Sequence, residues 1–308
     1  MPPHLWGPDL LPLGCCVIPL TRPDLLALLG VAIFAGTYPA TRLAVQGGID
    51  PICNATCRIV AAGILAAIVL RVTHATRPAR NEILPLIAVG VGVGLIFPLG
   101  LGYALLSVPA SHAAVVMAAL PLATTAYACL RGHAWPAPRF WFAGVVAASL
   151  VFTFSWRHAH SSGAVSMADG LLVLAMLGAA VGYVEGARLT TNQRPGWHVI
   201  SWALVLLAPV VAPVAVGCLV QSAATITPVA WGALAYGSLF SMYLGFFPWY
   251  RAMQLAGVAR ISQWQYLQPF TAIAYSVILL NEHLDGLDVA LVLGVIGAIA
   301  WGRQRPRT

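Results

Sequence analysis

The sequence predicts an all-α membrane protein, ten transmembrane helices arranged as two inverted five-helix repeats, and three observations carry that prediction. First, the 308-residue chain is 60% hydrophobic and 8% charged, against about 45–50% and 25% for ordinary soluble domains. Ten spans need about 200 apolar-compatible residues, so the apolar content fills nearly the whole length and leaves no sizeable aqueous domain. Second, all 16 basic residues are arginine. With the N-terminus inside, the inner ends of the apolar runs receive thirteen of them and the outer loops only Arg157, while Arg42 and Arg58 fall within runs. That bias fits the positive-inside rule for an even number of spans with both termini cytoplasmic. Third, a shift of 146 residues aligns Ala32, Gly36, Ala40 and Arg42 with Gly178, Gly182, Gly186 and Arg188, and a shift of 148 aligns Pro121 with Pro269. Five runs separate the members of each pair, and an odd number inserts the second copy upside down.

In chain order, residues 1–22 form a leader with no basic n-region and an apolar stretch broken by Pro12 and Pro19, a poor signal peptide. Apolar runs follow at 24–45, 52–70, 83–105, 109–130 and 138–156, making a first repeat over 23–157. The runs at 170–189, 198–219, 229–250, 258–280 and 286–302 make a second over 168–303. The rows Ala32/Gly36/Ala40 and Gly178/Gly182/Gly186 place a small residue at every fourth position, which lets helix backbones approach closely.

Within these runs a few polar residues stand out. Glu185 lies about five residues past the middle of run six, roughly 8 Å from the midplane at 1.5 Å per residue, and is the only acidic residue read as lying inside a span. It is either a structural partner of Arg188 at i+3 or a carboxylate for a substrate amine or a proton. Arg58 lies nearer the midplane, about 5 Å away; hydrogen bonding to helix carbonyls is weighed ahead of substrate contact. In run nine, Ser262, Gln265 and Gln268 share one face, and Pro269 is expected to leave a carbonyl unpaired on or near Gln265. Glutamine against lipid leaves amide groups unsatisfied, so this face should turn inward. These three, with Trp264, Tyr38, Tyr183 and Glu185, are the candidate substrate contacts; Gly36, Gly182, Pro121, Pro269 and Arg58 are candidate structural positions.

Two stretches go beyond composition: Ala55-Thr56-Cys57-Arg58 followed by an alanine-rich apolar run, and Gln268-Pro269-Phe270-Thr271 through Leu279-Leu280-Asn281-Glu282, followed by a run bearing Gly294 and Gly297. On these residues the chain resembles the drug/metabolite transporter superfamily, in particular its EamA-type members with two five-helix repeats. The resemblance spans about 23–303 and adds Glu282 as a structural position. In the first repeat, the matching stretch reads Gly132-His133-Ala134, without the glutamate. It implies a secondary transporter, in the export direction, of small organic metabolites such as amino acids or related solutes. Alternating access would occur across the inner membrane, with a cavity lined mainly by spans one, three, four, six, eight and nine. The rival reading is a channel or lipid-translocating protein without coupled transport.

Other classes find no support. Absence of lysine removes Schiff-base chemistry and the P-loop lysine. Gly90, Gly92 and Gly94 lie within an apolar helix rather than after a strand, the cysteines lack metal spacing, and no hydrolase motif or accessible carboxylate pair occurs. The reading is therefore no enzyme, cofactor or metal. Its partners are a small-molecule substrate and the bilayer, with a second copy of the chain held as a candidate and nucleic acid excluded.

Overall fold

The computed structural model describes residues 20–302 apart from 109–112, 114–115, 159–166 and 281–285. Nearly all of the predicted leader, together with Glu282, lies outside the described residues. The described chain folds as helical rods joined by short turns. They are α1 (Arg22–Gln46), α2 (Pro51–Val72), α3 (Arg80–Ser107), α4 (Leu120–Leu130), α5 (Pro138–His158), α6 (Met167–Leu189), α7 (Gly196–Ser222), α8 (Pro228–Ala256), α9 (residues 258–280) and α10 (Gly286–Gly302). Every predicted run falls within one rod, except that part of 109–130 lies outside the described residues. Among the described residues, α1, α2, α3, α6, α7 and α8 are long and apolar enough to cross a membrane, while Leu120–Leu130, Pro138–Thr153 and Val289–Gly302 are shorter apolar helices.

Local chemistry sets the starts. At α2, the Asp50 carboxylate accepts the Ile52 N–H at 2.8 Å and Pro51 takes the first position, where no N–H is needed. At α8, Thr227 and Pro228 repeat the device, with Thr227 Oγ1 accepting from the Ala230 N–H. At α1, the Asp24 carboxylate takes the Thr21 N–H at 3.0 Å and its hydroxyl at 2.6 Å.

The rods pack in matched pairs. Helix α3 lies on α6, and α8 on α1; α4 lies on α6, and α9 on α1; α2 lies on α8, and α7 on α3. Adding five to each number, and wrapping round past ten, converts the first of each pair into the second. Three pairings map onto themselves: α2 with α7, α4 with α9 and α5 with α10. Partners in two of these pairs, α2 with α7 and α5 with α10, run in opposite directions. Gly63 of α2 meets Leu204 and Ala208 of α7, and the earlier Cys57 meets the later Ala215. In α5 and α10, Phe142 meets Trp301 while Leu150 meets Gly294.

The small-residue rows sit at these contacts. A Cβ at Gly178 would stand 3.0 Å from the Gly92 carbonyl of α3, and Gly182 lies against Val93. Gly36 lies against the Tyr236 ring and Gly186 against the Tyr250 ring, both of α8. The outer faces are apolar: Ile64, Ile68 and Val72 of α2 and Val210, Val216 and Val220 of α7 are exposed. Exposed apolar faces of this kind suit hydrocarbon rather than water as the solvent.

Candidate substrate site

Two helices lose their regular winding where they reach the middle of the molecule. In α3, residues Gly90–Ile96 form a π-helix, and in α8 residues Gly237–Leu244 form another. Gly237 follows Gly90 by 147 residues, between the offsets of 146 and 148 that align the halves. Wider winding is uncommon and concentrates at functional positions. Here the glycines at 90, 92, 94 and 237 offer no side chain to resist it.

Between the two π-helices lies a small cavity of about 20 Å³, room for about one water molecule. Phe34 and Thr37 of α1, Arg58 of α2, Val93 and Phe97 of α3, Tyr183 of α6, Ser241, Met242 and Phe246 of α8 and Gln268 of α9 line it. Both halves therefore contribute. Among the described residues α2 takes the place the resemblance gave to α4. Aromatic rings make one wall: Phe34 is stacked 6.2 Å from Tyr183, and Phe246 lies 5.0 Å from Phe34. The opposite wall is polar, with the Arg58 guanidinium giving a hydrogen bond to Ser241 Oγ at 3.0 Å, and Ser241 and Thr37 sharing one of 2.6 Å.

The candidate contacts in run nine divide. All of Ser262, Trp264, Gln265 and Gln268 are buried, so the polar face does turn from lipid. Gln268 reaches the cavity. Gln265 faces the Tyr183 hydroxyl but completes no hydrogen bond with either amide atom. Ser262 packs on α4, sharing a 3.2 Å hydrogen bond with Thr125, whose hydroxyl also donates to the Pro121 carbonyl. Trp264 donates to Asp24 Oδ1 at 2.9 Å, away from the cavity. Tyr38 is buried but does not line the cavity.

The Gln265 carbonyl itself is not left unpaired, because the Gln268 N–H bonds it. Residues Gln263–Leu267 adopt 3₁₀ winding, whose i→i+3 bonds supply from Gln268 the donor that Pro269 lacks.

Glu185 lies outside the cavity lining, at the end of the bundle where α1 begins. Its carboxylate accepts from Tyr127 Oη at 2.9 Å, Arg131 Nε at 2.6 Å and Arg188 NH1 at 3.0 Å, tying α6 to the end of α4. A second acidic residue sits alike at that end. Asp24, read from the sequence as outside the deep acids, is 0% exposed and accepts from Arg260 at 2.8 Å and from Trp264, tying α1 to α9. By the numbering rule above, α4–α6 and α9–α1 are equivalent contacts. Arg194 of the α6–α7 turn pairs with Glu82 of α3 at the same end. Beside this end opens a cleft of about 1050 Å³ lined by His133, Trp135, Arg139, Arg260 and Gln263, among others. Among the described residues no three His, Cys, Asp or Glu side chains gather as a metal site would require.

Sequence reasoning missed Thr37, Ser241 and Asp24. Thr37 adjoins Gly36 in the small-residue row, and Ser241 stands one turn after Gly237, so proximity to those glycines was the available signal. Asp24 reads as a helix cap, which it also is.

Comparison with known proteins completes the description. The model of the EamA-like transporter family matches residues 21–156 and again 166–301. The chain is 37% identical over 276 residues to the "Uncharacterized transporter YdeK" of Bacillus subtilis (strain 168), covering 90% of this chain and 95% of that protein. A solved structure described as "Crystal structure of protein" superposes with a TM-score of 0.68 at 13% identity, over 92% of this chain and 98% of its own.

Proposed function

We propose that this chain, which belongs to the EamA-like transporter family and is a multi-pass membrane transporter, carries small organic metabolites such as amino acids across the inner membrane by alternating access, in the export direction. The observation that carries the reading is the small central cavity, lined from both halves and bounded by a π-helix from each. A site shared by two equivalent halves can be exposed to either face by rocking one against the other. A channel requires a continuous path, and a void of about 20 Å³ does not supply one.

The same reading takes the chain as ten crossings with both termini cytoplasmic, its repeats at 23–157 and 168–303 related by a pseudo-twofold axis in the membrane plane. Supporting it are the pairings that survive exchange of the halves and the opposed directions of α2 against α7 and α5 against α10. A twofold axis along the membrane normal would make those partners parallel. On this topology, the Glu185 and Asp24 clusters lie on the cytoplasmic side and hold it shut.

The test is reconstitution into liposomes with a library of metabolites, with and without a proton gradient. Saturable flux with counterflow is expected; flux that rises without saturation would make the protein a pore. Reporter fusions that place residues 71–82 outside the cell would overturn the topology.

A further inference from the structure

We propose that Arg58 is the anchor for a carboxylate on the transported molecule, so that the substrate is a small organic acid carrying one such group, free or in a zwitterion. The proposal rests on the carrier reading above and names the charge its site accepts.

The argument begins with an unbalanced charge. Arg58 is 2% exposed, near the middle of α2, and its hydrogen bond to Ser241 is the one it makes among the described residues. Its Nε is buried with no acceptor. An ionised group taken from water into a dry interior needs a counter-charge or a full set of hydrogen bonds, and intramembrane charges that lack them mark sites where a partner arrives. Four of the carboxylates among the described residues are committed elsewhere. Glu185 and Asp24 hold Arg131, Arg188 and Arg260, Glu82 holds Arg194, and Asp50 caps its own helix eight residues before Arg58, about 12 Å along the axis.

The surroundings of the guanidinium are donors. Ser241 and Thr37 share one hydrogen bond between two hydroxyls, so one hydroxyl proton remains to be given. The Gln268 amide lines the same cavity. A planar guanidinium edge offers two parallel N–H groups, the geometry that a carboxylate accepts. One cation offsets one negative charge, so a dianionic phosphate would bring a second, unmatched charge into the site, which favours the carboxylate. The facing Phe34, Tyr183 and Phe246 rings suit an apolar remainder. The present void admits about one water, so the walls must separate to admit substrate.

The experiment uses the full chain, with counterflow in proteoliposomes and thermal unfolding in detergent. The probes are matched compounds: leucine and phenylalanine against their amides, lactate against lactamide, and inorganic phosphate. The expected result is that free acids are carried or compete at least tenfold better than amides, phosphate does neither, and acids raise the unfolding midpoint. Arg58→Lys should raise KM for the acids. Arg58→Gln should abolish their transport and the acid-induced shift, while its midpoint without ligand stays at or above that of the wild type, because an uncompensated buried charge is gone. A structural staple predicts the opposite sign for that midpoint. Equal handling of acids and amides, or acid transport by Arg58→Gln, overturns the proposal and leaves the carrier reading intact. Saturable flux of no probe counts against the carrier reading. The binding arm then decides alone: an acid-induced shift lost in Arg58→Gln sustains the anchor, and no shift overturns it. Failure of both Arg58 variants to fold marks the guanidinium as a staple and also overturns it.

Discussion

Arg131, Arg188 and Arg260 each hold a carboxylate and keep 41%, 36% and 38% of their side chains exposed, whereas Arg58 is 2% exposed and, among the described residues, holds none. The end of the bundle therefore keeps its charges matched and hydrated, and the centre keeps one charge dry and unmatched. The difference teaches where to look for work done on a ligand. A matched pair closes a surface and is complete in itself, while an unmatched buried cation is stable in function only with something supplied from outside.

If the matched end is what holds α9 to α1, its deepest carboxylate should carry the largest stability effect. Asp24→Asn leaves the Arg260 guanidinium and the Trp264 N–H facing a neutral amide in place of a fully buried carboxylate, and a loss of about 3 kcal/mol is expected. Unfolding in detergent measures it, and a wild-type midpoint would show that the pair contributes nothing to closure.

Glu185→Gln should cost less, because Arg131 and Arg188 keep water when the carboxylate goes. The fold should survive with altered transport rate and unchanged KM for acids, in contrast to Arg58→Lys. A raised KM would move Glu185 into the substrate site and erase the comparison.

Gly36→Ala drives a methyl group into the Tyr236 ring, whose hydroxyl donates to the Ile33 carbonyl at 2.8 Å. Crowding of this kind is expected to cost about 1–2 kcal/mol. Since Ser241 lies on α8 beside this contact, the same variant should also slow transport, measured as initial rate.

The smallest structural effect is expected from single cysteines on α9. A cysteine replacing Gln268 should react with a small polar thiol reagent and be protected by substrate, whereas one replacing Ser262, at 0% exposure against Thr125, should not. Equal labelling at both positions would mean that the polar face of α9 is one continuous water-lined surface.

Much of the architecture was legible in the chain because it rests on one-dimensional signals. Run length and apolar content place the helices, since a helix in hydrocarbon must satisfy its own backbone. The 146-residue match of small residues and the odd number of intervening runs follow from spacing alone. The polar face of run nine was readable as buried because glutamine in lipid is expensive.

Which buried polar group meets which was decided by packing. Sequence spacing offered Glu185 only its neighbour Arg188, but the crossing of α4 over α6 brings Arg131 and Tyr127 from more than fifty positions away. Arg58 and Ser241 lie 183 positions apart, and Thr37 and Ser241 lie 204 apart. No local pattern encodes such pairs. The winding was equally hidden. Pro269 predicts a missing donor, but only the finished helix chooses 3₁₀ bonds that replace it, and only the packed halves place two π-helices against one cavity. Sequence specifies what each segment must bury; the tertiary structure decides which partner it is buried against, because that depends on distances between segments that the chain order does not contain.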